Sequence, residues 1–102
     1  MNAQQQKPLK INIGAVKRLK KEVLSYQKEL QEAQDKVATA TYEPGSYEMK
    51  HLNDMRDEAE STLHDVERRL EDFKKKLRNA LKDVETKYPD DELVIEAKSL
   101  LA

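Results

Sequence analysis

Eight apolar side chains, Val16, Leu19, Val23, Tyr26, Leu30, Ala33, Val37 and Ala40, follow one another at alternating steps of three and four residues. This is a heptad seam with no skipped position, the pattern of a helical stripe that must bury itself against another helix. Lys, Arg, Glu, Gln and Ser fill most of the intervening positions, so the remaining faces of that helix stay wet. A stripe this narrow makes no globular core alone, and the rest of the chain has to supply its partners.

A second seam follows. Leu52, Met55, Ala59, Leu63, Val66, Leu70, Phe73, Leu77, Leu81, Val84 and Tyr88 recur at helical spacing. Their mean step is about 3.6 residues rather than 3.5, so this stripe drifts in four-residue stutters while the first would supercoil left-handed. A drifting stripe predicts more than one partner along the helix. Glu43-Pro44-Gly45-Ser46 is the strong break between the two seams. Residues before proline are pushed out of the helical region, and Ser46 is a natural N-cap. So short a loop returns the second helix antiparallel to the first.

Pro8 suits a first helical turn, where its missing N–H costs nothing. Leu9, Ile11 and Ile13 alternate like a strand, but Leu9, Ile13 and Val16 also fit a helix, and a lone strand would have nothing to pair with. Helix from about Pro8, weakened by Ile11, Ile13 and Gly14, is the expectation. At ~1.5 Å per residue the first helix then spans roughly 50 Å and the second roughly 65 Å, which leaves Leu77, Leu81, Val84 and Tyr88 partly bare. Pro89-Asp90-Asp91-Glu92 turns the chain with acids placed at a helix N-terminus. Leu93, Ala97 and Leu100, with Val94 and Leu101 beside them, form a short third helix to cover that end.

The reading is all-α: an elongated antiparallel three-helix bundle, a left-handed coiled coil in the manner of a spectrin repeat, with helices at about 8–41, 46–88 and 90–101. It is a single domain over 1–102, with 1–7 as a mobile tail. The composition agrees, since 37 % hydrophobic and 38 % charged residues suit a thin bundle. A net charge of −1 and sustained periodicity argue against disorder. No apolar run approaches the ~20 residues of a membrane span, no signal peptide opens the chain, and there is no cysteine. A cytoplasmic protein is expected.

Catalysis needs converging groups, and the sequence offers none. His51 and His64 stand thirteen residues apart on one helix and point roughly 220° apart. Glu48-x-x-His51 matches one element of a di-iron bundle, but the second copy is missing, since Ser61 precedes His64 at that spacing. Gly14 and Gly45 cannot build a phosphate loop. No enzyme, no metal, no cofactor and no small-molecule substrate are expected. Nucleic acid is disfavoured too, because Lys74-Lys75-Lys76 and the Lys17–Lys21 run lack aromatic interleaving and the chain is not basic.

Binding of another protein is what remains. Residues 1–21 carry Lys7, Lys10, Lys17, Arg18, Lys20 and Lys21 and no acid, which suggests an acidic partner. In the heptad register Lys10, Lys17, Lys21 and Lys28 fall on one outer stripe with Leu24 in its middle. An apolar side chain ringed by lysines has the look of an interaction hot spot; alternatively, Leu24 widens the core stripe beside Val23. Arg68 and Arg69 on the second helix either anchor a carboxylate partner or bridge Glu29 or Glu32 across the hairpin.

Leu9-Lys10-Ile11-Asn12-Ile13-Gly14-Ala15-Val16-Lys17-Arg18-Leu19-Lys20-Lys21-Glu22, followed by Tyr26, resembles the N-terminal signature of the tubulin-binding cofactor A family. Tyr47-Glu48-Met49-Lys50 and Arg68-Arg69-Leu70-Glu71 are similar to later stretches of that family. His64 departs from it, standing where members usually carry a proline, so a straighter second helix is expected. The resemblance implies a non-enzymatic chaperone of tubulin folding, cytoskeleton-associated, that captures β-tubulin after chaperonin release and holds it for pairing with α-tubulin. Tubulin is acidic, which agrees with a basic stripe. The alternative is a structural coiled-coil module that self-associates as a homodimer through leftover seam.

Overall fold

A computed structural model describes all 102 residues. It contains three helices and no strand: α1 (Ala3–Thr39), α2 (Tyr47–Lys82) and α3 (Glu92–Leu101). The all-α three-helix reading is borne out. The chain divides into two compact units, one of residues 1–20 with 68–102 and one of residues 21–67.

The first unit holds the N-terminal part of α1, the C-terminal part of α2 and the whole of α3. Leu9, Ile13 and Val16 from α1 meet Leu77 and Leu81 from α2, Val84 after it, and Val94 and Ala97 from α3. Leu9, Leu77 and Val94 are fully enclosed. Each such side chain contributes about 1.5–3 kcal/mol by leaving water. Helical phase wins over strand-like alternation at the N-terminus: Leu9 and Ile13 turn inward while Ile11 is exposed. Ala15 and Leu19 are buried as well, because a helix packed by two partners must cover more than a single seam.

Two helix ends differ from the expectation by more than two residues. α1 begins at Ala3, not Pro8, because Asn2 and Gln5 form a reciprocal cap. The Gln5 N–H donates to Asn2 Oδ1 at 2.9 Å, and the Asn2 N–H donates to Gln5 Oε1 at 3.1 Å. This is the geometry of a capping box with amide side chains in both roles. Pro8 therefore lies inside the helix, early enough that only the Gln4 carbonyl loses its usual donor. α2 ends at Lys82 rather than Tyr88. Val84 and Thr86 favour helix weakly and Pro89 forbids it to continue, so the chain leaves through turns. The Val84 N–H donates to the Leu81 carbonyl at 3.1 Å and the Tyr88 N–H to the Val84 carbonyl at 2.9 Å.

The acids after Pro89 start α3 as expected. Asp91 is the N-cap, its Oδ1 accepting the Leu93 N–H at 2.9 Å. An Asp91→Ala change should lower unfolding free energy by about 1 kcal/mol, and Asp91→Ser should restore most of it, in urea titrations followed by circular dichroism.

The second unit is a two-helix hairpin. The Ser46 N–H donates to the Glu43 carbonyl at 3.1 Å, closing a turn with Pro44 second and Gly45 third at φ +81°. That is the type II arrangement, which reserves its third position for glycine. Ser46 Oγ then accepts the Met49 N–H at 3.2 Å and caps α2. Within this unit only Leu63 and Val66 are buried. The seam residues Val23, Tyr26, Leu30, Ala33 and Val37 are half-buried, because two helices cover one face of each other and nothing covers the flanks. α2 passes through His64 without interruption.

Candidate functional site

In the first unit Lys10, Lys17 and Arg18 are exposed on α1, and Arg68 and Arg69 are exposed on α2. Lys17 is nonetheless engaged: its Nζ donates to Glu96 Oε1 of α3 at 2.8 Å. Lys20, which the sequence did not single out as a site residue, donates from Nζ to the Leu100 carbonyl at 2.7 Å. A cation at the last turn of a helix meets carbonyls that lack intrahelical donors. The basic run of α1 thus has a structural use, seating an acidic helix, besides any partner it meets. Both contacts join residues about eighty positions apart, a separation that heptad register on one helix does not reveal.

In the second unit Lys21, Leu24 and Lys28 are all exposed, with Leu24 at 67 %. Leu24 does not widen the core stripe. It is a bare apolar side chain with an ammonium one turn before it and another one turn after it on the same helix face.

The second unit also contains a feature the sequence reading missed, a shallow groove of about 330 Å³ between α1 and α2. Tyr26, Ala33, Leu52, Met55 and Ala59 form its apolar lining. Glu29, Glu32, Lys36 and Glu58 stand around it, each exposed. Ala33 and Ala59 explain the hollow, since both lie on the seams yet are too short to fill the space a leucine would. The signal was present as alanines at seam positions, but an alanine reads equally well as close packing.

His51 and His64 are exposed on α2. Nowhere do three or more His, Asp or Glu side chains gather so as to hold a metal ion. No polar or charged side chain is buried. No helix is long and apolar enough to cross a membrane. The geometry offers flanks and a groove on which another protein can dock.

The family model for tubulin binding cofactor A matches residues 4–101. Tubulin-specific chaperone A of Homo sapiens is 34 % identical, the match covering 92 % of this chain and 93 % of that protein. Tubulin-specific chaperone A of Rattus norvegicus is 33 % identical with the same coverage. No solved structure matches the chain.

Proposed function

The chain belongs to the tubulin binding cofactor A family, and on that ground we propose that it is a tubulin-folding cofactor. It captures β-tubulin released from the chaperonin and holds it for pairing with α-tubulin in the cytoplasm. The observation that carries this reading is the family match over residues 4–101. Holding of this kind works by mass action: a protein that binds one folding intermediate and not its successors stabilises that intermediate without energy input. Such a cofactor needs an accessible face rather than a cleft.

The outer face of α1 supports the reading. Lys21, Leu24 and Lys28 offer two cations around one apolar side chain to an acidic client. Lys10, Lys17 and Arg18 earlier on that helix, and Arg68 and Arg69 on α2, belong to the same proposal. Tagged protein incubated with cytosol should retain β-tubulin in preference to α-tubulin when the eluate is probed for both. Retention of neither, or of the intact heterodimer alone, overturns the proposal.

A further inference from the structure

We propose that the groove of the second unit is a docking site for one basic amphipathic helix of a partner protein. The inference goes beyond the β-tubulin reading and does not rest on it, because the groove residues are not those of the Lys21, Leu24 and Lys28 face.

The first unit shows what kind of object completes a pair of these helices. There α3, ten residues long, lays Val94 and Ala97 into the space between α1 and α2. It carries Glu92 and Glu96, and the lysines of α1 receive it: Lys17 binds Glu96 and Lys20 binds the Leu100 carbonyl. In the second unit no segment of the chain plays that part. The α1 side of the groove runs from Tyr26 to Lys36, a rise of ~15 Å, which is the length of a ten-residue helix. Ala33 and Ala59 are the small residues of its lining, and over them a helix backbone can approach closely.

The charge along the groove is the reverse of that beneath α3. Glu29 and Glu32 on α1 and Glu58 on α2 line the groove, with Lys36 as the single cation among the lining residues. None of the three carboxylates makes an ion pair or a side-chain hydrogen bond within the chain. Where lysines receive an acidic helix in the first unit, glutamates select a basic one in the second. Complementarity of this sort sets partner choice and repels a helix of the wrong sign.

The test uses a fluorescein-labelled synthetic helical peptide of about eighteen residues, with a Leu/Ala stripe flanked by Lys and Arg. Its companion has every basic residue replaced by Glu. Anisotropy titrations of the full chain should show saturable binding of the basic peptide and none of the acidic one. Binding should weaken about tenfold or more at ~0.5 M salt, where screening shortens to a few ångströms. The triple variant Glu29→Lys, Glu32→Lys, Glu58→Lys should lose about tenfold or more. Glu29→Gln, Glu32→Gln, Glu58→Gln should fall between, and it serves alone if the reversal variant loses its helical melting transition. Amide shifts in NMR should cluster at Ala33, Met55 and Ala59. No binding up to about 100 µM peptide, equal binding of the acidic peptide, or shifts confined to residues 1–20 and 68–102 overturns the proposal. So does a second copy of this chain filling the groove, seen as self-association in sedimentation that the triple variant abolishes. Because the face proposed for β-tubulin, Lys21, Leu24 and Lys28, shares no residue with the groove, absence of peptide binding with tubulin capture intact removes this inference alone.

Discussion

Replacing Leu77 by alanine should lower the free energy of unfolding by about 3 kcal/mol, while the same change at Leu30 should cost about 1 kcal/mol. Leu77 is 0 % exposed and packs among side chains from all three helices. Its removal forfeits the transfer energy of the missing atoms and leaves a cavity that the surroundings can only partly collapse. Leu30 sits on the seam of the two-helix unit and is half-buried, so water already reaches part of it and no sealed cavity forms. For a chain of about a hundred residues, 3 kcal/mol is a large share of total stability and lowers Tm by roughly 12–20 °C. Urea titration followed by circular dichroism measures both changes. Equal losses at the two positions would mean that the hairpin is covered by something in solution, self-association included. The same difference in burial predicts that amides of residues 21–67 exchange with solvent before those packed under α3.

The two seams were legible because a helix that must pack cannot hide its period. Val16 to Val37 and Leu52 to Leu81 all lie on covered faces save Met55, which is 41 % exposed beside the groove. The third helix was legible from its acids and its leucines, although Val94 and Ala97 rather than Leu93 and Leu100 turned out to be the fully enclosed positions. What escaped the sequence has several causes, and polar groups account for two of them, the start of α1 and the partners of its lysines. The start of α1 depends on two amide side chains reading each other's backbone, and a Gln-rich stretch without apolar period gives no hint of that. The early end of α2 is a contest of weak propensities with a proline. The partners of Lys17 and Lys20 lie about eighty positions further along the chain, on the far side of the whole hairpin in sequence. The groove was not legible because its apolar residues are seam residues, and an alanine at a seam position marks a hollow or close packing equally well.

Reversing Lys21 and Lys28 to glutamate together with Leu24→Asp should lower capture of β-tubulin by thirtyfold or more, about 2 kcal/mol, with melting of the free protein nearly unchanged. Two terms combine. Leu24 would lose a side chain that is 67 % exposed and has its apolar area still to bury, which for a leucine is worth about 1.5–3 kcal/mol when fully covered. The two reversals would turn attraction for an acidic client into repulsion, slowing association most at low salt. Stability should move by no more than about 0.5 kcal/mol, because exposed positions away from the core contribute little. Lys17, earlier on α1, makes a poorer probe. Its ammonium already sits 2.8 Å from Glu96, so Lys17→Glu would set two carboxylates against each other at the seat of α3 and confound binding with docking of that helix. Measuring capture at two salt concentrations separates the terms: the charge contribution should fade as salt rises, while the Leu24 contribution persists. If the triple reversal binds β-tubulin as tightly as the parent chain at both concentrations, the outer face of α1 in the second unit is not where the client sits.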